Sequence, residues 1–266
     1  MAPRANWKGT LRIDELVCPV ALYTASSTSD RIAFHMVNRA TGHRLRREFV
    51  DADTGKPVAT EDQVKGYDPG TGEHVILSPD EIAEAVPDSD KTLAVSAFLD
   101  CGDIDKLYFD KPYYLAPADR IGDEAFLLIQ NAMKKKGVAA IARTVLFRRM
   151  RTLLIRAHGE GLIATTLNFD YEVRKPAEAF AEISARRIKG EMLDLAKHII
   201  KTKAGTFDPA AFEDRYEAAL AELVKAKAEG RRIKPRPARP KAKVVDLMAA
   251  LRQSAEAAKK PRKKAG

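Results

Sequence analysis

Three β-rich runs follow one another between residues 138 and 169, and they limit the possible folds more than any other feature. Val, Ile, Leu, Thr and Ala dominate each run, and short turn-like sequences separate them at Arg148-Arg149 and at 158–161. This pattern predicts a meander of antiparallel hairpins. Five earlier segments have strand-like stretches, at 11–23, 31–37, 43–50, 92–99 and 107–117, the last of them broken by proline, so that seven or so strands precede residue 170. Such a number suffices to close a sheet into a barrel, so the predicted fold class is α+β with a mainly β core.

Two helices are predicted within this β-rich part. Ser78, Pro79 and Glu81 have the sequence of a capping box with proline at the first helical position, which predicts a short helix. A longer helix is predicted over about 121–136 and ends at Gly137. Its last turn is basic, as the negative end of the helix dipole favours.

After Lys175-Pro176 the pattern becomes helical. One predicted helix ends at Gly205, and its apolar face comprises Met192, Leu195, Ala196 and Ile199. Asp208-Pro209 is predicted to open a second amphipathic helix that ends near Gly230, with a stripe of Phe212, Tyr216, Leu220, Leu223 and Val224. We therefore divide the chain into a β core at 1–175, a helical region at 176–230, and a Pro/Lys/Arg-rich tail at 231–266. Such a tail cannot bury a core and is expected to be disordered.

The sequence lacks the motifs of common enzymes. It has no G-x-x-x-x-G-K-[ST], G-x-G-x-x-G or G-x-S-x-G segment, and Cys18 and Cys101 are too far apart to form a metal or redox pair. The five histidines show no metal-binding spacing. We therefore expect no catalytic residues, no metal and no cofactor, with a nuclease that uses the acidic residues at 100–110 as the enzymatic alternative. No apolar run is long enough to span a membrane and the N-terminus has no apolar signal core, so we expect a cytoplasmic protein.

The net charge of +9 is unevenly distributed. Residues 231–266 carry thirteen Lys/Arg against Asp246 and Glu256, a net of +11, so that 1–230 sums to −2. A strongly basic tail on a nearly neutral body indicates a polyanionic partner, because phosphate binding releases counterions. The alternative is a solvated tail that serves only solubility.

Two basic clusters lie within the body. The arm cluster at 31–47 has five arginines and no acid, and the hairpin cluster at 134–156 has eight basic residues and no acid. Residues 48–110 between them carry sixteen acids against four lysines. Arginine suits phosphate because its planar fork donates two hydrogen bonds at once. The candidate phosphate-binding residues are Arg31, Arg44, Arg46, Arg47, Lys134, Lys135, Arg143, Arg148, Arg149 and Arg151, with Lys241, Lys243, Lys259, Lys260, Lys263 and Lys264 in the tail. The alternative is that these arginines form structural salt bridges with the acidic segment.

Seven segments, in order, resemble the bacterial Ku proteins. They are NWKG at 6–9, PVALY at 19–23, RIAFH at 31–35, VKGY at 64–67, IDKLYFDKPYYLAP at 104–117, IARTVL at 141–146 and FDPAAFEDRYEAALAELVKAK at 207–227. The resemblance covers nearly the whole chain. It implies a Ku-type β-barrel with a bridging arm at about 31–77, followed by a C-terminal helical arm.

What this resemblance implies about function is specific. Ku-like proteins are homodimeric rings that thread onto double-stranded DNA ends during non-homologous end joining, and they recruit an ATP-dependent DNA ligase, ligase D. The helical region resembles the part assigned to the ligase, with Phe212, Tyr216, Leu220 and Leu223 as the expected contacts. Many relatives have a CxxC pair in the arm, whereas this chain has DADTGKPV at 51–58. A nucleoid-associated architectural protein that binds DNA through its basic tail is the alternative function.

Overall fold

The computed structural model describes residues 4–85, 91–184, 188 and 190–231. The described residues divide into two compact units. The first comprises the residues up to Asp30 together with Phe34–Lys175, and the second comprises Arg31–Ala33 together with the described residues from Pro176 onward. No helix in these ranges is both long enough and apolar enough to cross a membrane.

The first unit contains all of the strands in the described ranges. They are β1 (Trp7–Ile13), β2 (Leu16–Thr24), β3 (Lys65–Tyr67), β4 (Val75–Leu77), β5 (Thr92–Asp100), β6 (Phe109–Pro117), β7 (Val138–Leu146), β8 (Arg149–His158) and β9 (Gly161–Leu167). Seven of them form a closed barrel in the order β1–β2–β6–β9–β8–β7–β5. The parallel pairing of β5 with β1 closes the barrel, and every other neighbouring pair is antiparallel. The predicted fold class, α+β with a mainly β barrel core, is confirmed.

The barrel is filled by apolar side chains. Successive residues of a strand point to opposite faces of the sheet, so that alternate positions fill the barrel interior. The almost completely buried residues there come from every barrel strand: Leu11, Val20, Leu22, Leu93, Leu115, Leu146, Leu153, Ile155 and Leu162. The three β-rich runs are β7, β8 and β9, as the sequence predicts, and they pair consecutively.

The two ends of the barrel differ. At the arm end, the chain leaves the barrel after Thr24 and returns to it at Thr92. Ala94 pairs with Arg143 in antiparallel register, so the turn between β7 and β8 lies at this end too. The opposite end, here called the helix end, is covered by helix α2 (Asp123–Lys136), whose Phe126, Ile129 and Met133 join the barrel core. The predicted cap of α2 at Gly137 is confirmed, because Gly137 has φ 69°.

The arm, expected at about 31–77, lies in the segment between β2 and β5, of which residues 25–85 are described. The predicted helix start is confirmed as α1 (Pro79–Glu84), with a complete capping box at Ser78. The predicted strands at 31–37 and 43–50 are wrong: only isolated bridges join Val37 to Arg44 and Val50 to Pro57. Both segments have strand-like sequences, but within one chain they lack the neighbouring strands that a sheet requires.

The second unit is helical. Its helices are α3 (Pro176–Phe180), α4 (Gly190–Thr202) and α5 (Arg215–Ala228). The predicted helix start at Asp208-Pro209 is wrong, because Pro209–Ala211 forms a single 3-10 turn. Helix α5 begins only at Arg215, where the carboxylate of Asp214 accepts hydrogen bonds from the backbone of Tyr216 and Glu217 at 3.1 and 3.0 Å.

Candidate nucleic-acid interface

The β7–β8 hairpin ends in a two-residue turn at Phe147 and Arg148. The last cross-strand pair before the turn is Leu146 with Arg149. Both turn residues have positive φ, 53° and 66°, which is the combination that a type I′ turn requires. Asn and Gly are the usual residues of such a turn, so this turn has a conformational cost. The turn holds Arg148 at the outermost point of the hairpin, exposed to solvent.

Two further arginines lie on β8 directly after this turn. Arg149 is exposed and Arg151 is half-buried, opposite Thr144. Residues two apart along a strand share a face, so both arginines extend to the same side of the sheet. Burial, followed by the nearby Asp110 carboxylate, raises the pKa of Tyr113, while Arg151 acts in the opposite direction. The rings of Tyr113 and Phe147 are 6.4 Å apart, so the hairpin tip packs against β6.

The hairpin cluster extends along the whole length of β7. Arg143 is exposed near the arm end of that strand, whereas Lys134 and Lys135 are exposed in the last turn of α2 at the helix end. The nine residues of β7 span roughly 27 Å at about 3.3 Å per residue. The structure therefore does not bring the two lysines together with Arg148, and a ligand that contacts both groups has to lie along the strand.

The arm arginines are exposed as well. Arg44 is opposite Val37 in an isolated bridge, and Arg46 and Arg47 follow it on a segment with no buried residue. Arg31 belongs to the second unit, where the backbone N–H of Ile32 donates to the Glu217 carboxylate at 3.1 Å.

The alternative that these arginines are structural ion-pair partners fails for the described residues. The ion pairs found there join Lys197 to Asp194 and Arg231 to Glu229, and none involves a predicted DNA-binding arginine. An unpaired exposed guanidinium retains all of its donors for a phosphate. The tail lysines Lys241, Lys243, Lys259, Lys260, Lys263 and Lys264 lie outside the described residues.

Two of the acidic residues near 100–110 have hydrogen-bond partners. The Asp105 carboxylate accepts a hydrogen bond from the backbone of Leu107 at 2.9 Å, and Asp110 accepts one from the Thr166 hydroxyl at 3.0 Å. In the described part of the chain, no group of three or more His, Cys, Asp or Glu side chains is arranged to hold a metal ion.

The predicted partner contacts in the second unit differ in exposure. Phe212 and Tyr216 are each 71% exposed, Leu223 is 39% exposed, and Leu220 is half-buried. Phe212 stacks at a tilt on Phe207, with 5.4 Å between ring centroids. Three of the four are thus exposed: Phe212 shortly before α5, and Tyr216 and Leu223 along it.

The structure also contains a basic pocket at the arm end that the charge pattern of the sequence does not predict. It is lined by Arg4, Asn6, Trp7, Lys8, Tyr23 and Lys91. Arg4 and Lys8 lie close together in the sequence, and the fold brings Lys91 next to them. The NWKG segment at 6–9 is the one sequence feature that coincides with it.

Comparisons with a family model and with individual proteins point to the same family. A family model described as the Ku70/Ku80 beta-barrel domain matches residues 12–195. Proteins named non-homologous end joining protein Ku are similar over nearly the whole chain. The one from Cereibacter sphaeroides is 62% identical over 98% of each chain. The one from a Bradyrhizobium species is 42% identical over 96% of this chain and 87% of its own, and the one from Methylocella silvestris is 35% identical over 98% and 99%. This chain therefore belongs to the Ku family.

Proposed function

We propose that this protein binds the ends of broken double-stranded DNA in non-homologous end joining, without reading base sequence and without catalysing a reaction. Membership in the Ku family supports this proposal. The observation that carries it is the strained turn at Phe147 and Arg148, at the same end of the barrel as the arm. The arginines at this turn form no ion pair with any residue that the structure describes. Contacts to phosphate and sugar fix position on a duplex but carry no sequence information.

The second part of the proposal is a homodimer. The arm leaves an unusual amount of apolar side-chain surface exposed in the single chain: Phe34, Met36, Val37, Leu45, Phe49, Val50, Val64, Tyr67, Val75, Ile76 and Leu77 are all at least 36% exposed. Large exposed apolar patches mark interaction surfaces, and symmetric homodimers are the commonest soluble assemblies. Burial of the two arms against each other leaves an aperture between arm and barrel that encircles DNA.

Charge substitution within the arm tests the homodimer. Phe49→Asp with Ile76→Asp introduces two charges into the exposed apolar surface, and we expect a monomer in analytical ultracentrifugation. Arg46→Ser changes the same segment without touching an apolar residue and leaves the dimer intact. A double variant that sediments as the unmodified protein does would contradict an arm-mediated dimer.

The third part concerns the partner on the second unit. The exposed aromatic residues of α5 and of the turn before it offer an apolar surface with no described partner: Phe207, Phe212 and Tyr216 are each more than 70% exposed. Aromatic residues of this kind are frequent anchors of protein interfaces. We assign this surface to the recruitment of an ATP-dependent DNA ligase, and Phe212→Ser with Tyr216→Ser is expected to abolish co-purification of ligase and protein while DNA binding persists.

The basic tail adds affinity without specificity in this proposal. Its +11 net charge suits counterion release from any nucleic acid. Deletion of residues 231–266 separates end binding from a nucleoid architectural role. End binding through barrel and arm survives the deletion with a shallower dependence of log affinity on log salt, whereas a protein that binds through its tail alone loses nearly all affinity.

A duplex with blocked ends tests the proposal directly. The probe is a short biotinylated duplex whose two ends are free or carry streptavidin. We expect binding to free ends and strong inhibition by streptavidin on both. The DNA recovered after incubation with magnesium stays full-length. Equal binding to blocked and free duplexes would overturn end binding, and shortened strands would show a nuclease.

A further inference from the structure

An open pocket of about 710 Å³ lies at the arm end of the barrel, within the size range of small-molecule sites. The side chains around it combine basic and aromatic character: Arg4, Lys8 and Lys91 with Trp7 and Tyr23. No acidic residue occurs among its described lining residues. Since Tyr23 precedes the departure of the arm and Lys91 precedes β5, the pocket lies at the base of the arm.

The indole of Trp7 is a fixed wall of this pocket. Trp7 pairs with Leu22 in the β1–β2 ladder and packs against the barrel core while remaining partly exposed. Its ring lies over Gly9, where an added Cβ would overlap both the indole and the backbone carbonyl oxygen of Lys91. Only glycine at position 9 allows this arrangement. The ring is therefore positioned before any ligand arrives.

The rim beside Trp7 is also ordered by hydrogen bonds. The side-chain oxygen of Asn6 accepts from both the backbone N–H and the hydroxyl of Thr24, at 2.8 and 2.7 Å. These bonds connect the start of β1 to the end of β2, next to Tyr23. Arg4 and Lys8 are exposed on this rim. Lys8 leaves β1 on the face opposite to Trp7, and pairing with β5 begins only at Thr10. The long Lys8 side chain therefore has to turn around the edge of β1 to meet a phosphate beside the indole.

The combination of groups identifies the ligand class. Guanidinium and ammonium groups bind phosphate, and indole and phenol rings stack on nucleobases of any identity. In a blunt duplex every base is held in a pair, and only the outer face of the terminal base pair is unstacked, so no single base is free to enter a pocket. An unpaired nucleotide at a DNA end offers both a phosphate and a free base.

We propose that this pocket binds an unpaired nucleotide of a single-stranded extension at a DNA end, with its base against Trp7 and its phosphate between Arg4 and Lys8. This inference rests on the proposed end-binding function and adds a second contact to it. The duplex lies against the basic hairpin, and the extension passes to the base of the arm. Ends that carry an extension are then held more tightly than blunt ends.

The chain contains a single tryptophan, so its fluorescence reports on this pocket. The probes are DNA hairpins with one open end that is blunt or carries three unpaired nucleotides, on the 3′ or the 5′ strand. A stacked base quenches indole emission, so we expect quenching by an extended probe and little change with the blunt one. Anisotropy of a dye in the hairpin loop measures affinity in parallel, with tighter binding of the extended probe by about fivefold or more.

The variant that tests the pocket is Arg4→Gln with Lys8→Gln. Its matched control is Arg12→Gln, on the same strand and face as Lys8 and also exposed, but at the helix end of β1. The pocket variant loses the preference for extended probes and the quenching, while its blunt-end affinity stays close to that of the control. Trp7→Phe retains an aromatic wall and is expected to keep most of the preference.

The two proposals fail in different ways. If blunt and extended probes bind equally and neither quenches Trp7, the pocket proposal is wrong while end binding stands. If extended probes quench Trp7 equally in the Arg4/Lys8 variant, the phosphate assignment is wrong. If no probe binds, the proposed function itself is wrong.

Discussion

Leu146 and Arg149 form the last cross-strand pair of the β7–β8 hairpin, and the two residues between them, Phe147 and Arg148, both have left-handed backbone conformations. Left-handed geometry is unfavourable by roughly 1–2 kcal/mol for a residue with a side chain. Strain of this kind is concentrated at functional sites. At the hairpin tip, the left-handed backbone lowers stability, whereas the exposed Arg148 side chain is available to bind phosphate. A single substitution can separate these two effects.

Arg148→Gly removes the side chain from a backbone position that glycine adopts without strain. We expect the free energy of unfolding to rise by up to about 1 kcal/mol while affinity for a DNA end falls, because one phosphate contact is lost. Urea denaturation and anisotropy with a short duplex measure the two quantities. Arg149→Gly, within a strand, serves as the control and lowers both. An Arg148→Gly protein that binds DNA as tightly as the unmodified one would remove this residue from the interface.

Charge reversal at the tip tests the electrostatic part of the interface. Arg148→Glu with Arg149→Glu is expected to weaken DNA binding by roughly 10- to 100-fold near physiological salt, and to reduce the slope of log affinity against log salt by about 2. Arg12→Glu with Arg120→Glu makes the same charge change at exposed positions of the helix end. If both double variants lose affinity equally, only net charge matters and the hairpin has no special role.

Much of the barrel follows from sequence because local pattern and final environment agree there. The β-rich runs at 138–169 become β7, β8 and β9, and most of their apolar residues are buried, so local composition and final environment agree. The cap of α2 at Gly137 and the box at Ser78 are equally local, since their hydrogen bonds lie within a few residues.

The arm and the start of α5 differ from the prediction, because they depend on neighbouring strands and on a competing helix cap that a local pattern does not show. Residues 31–37 alternate as a strand does, yet the single chain supplies only an isolated bridge at Val37. At Asp208-Pro209 the capping sequence is real but closes only one 3-10 turn, and the competing cap at Asp214 begins α5.

Of the candidate site, too, only a part can be predicted from the sequence. Charge clustering identifies the arginines of the hairpin, but the separation of Lys134 from Arg148 by the length of β7 requires the register of the sheet. The pocket at Trp7 and Lys91 depends on the parallel pairing of β1 with β5. Residues 84 positions apart meet there, and no spacing rule predicts this.

The hydroxyl of Thr144 gives a stability prediction. It is the one buried side-chain polar atom in the described residues without a hydrogen-bond partner. Thr144→Val replaces this hydroxyl with a methyl group of similar shape and removes an unsatisfied polar group, so we expect a gain of about 1 kcal/mol in the free energy of unfolding. Thr166→Val is the matched control and is destabilising, because the Thr166 hydroxyl bonds to Asp110 and to the backbone of Lys111. Destabilisation by Thr144→Val would point to a partner for that hydroxyl.

The two cysteines are expected to differ in reactivity. Burial, followed by the carboxylates of Asp119 and Asp123, raises the pKa of the Cys18 thiol, and Cys18 is completely buried. Cys101 is exposed. The thiolate is the reactive form, so one thiol per chain reacts with a disulfide reagent near neutral pH, and the second reacts after unfolding. Rapid reaction of two thiols in the native protein would contradict the burial of Cys18, whose thiol donates a hydrogen bond to the Gly122 carbonyl at 3.4 Å.

The central claim, that DNA enters an aperture through its ends, is tested most directly by competition between linear and closed circular duplexes of the same sequence and length. We predict that the linear form displaces a labelled end-bearing probe, that the relaxed closed circle displaces it only at far higher concentration, and that a single double-strand cut in the circle restores full competition. Equal competition by the closed circle and the linear form would contradict the account.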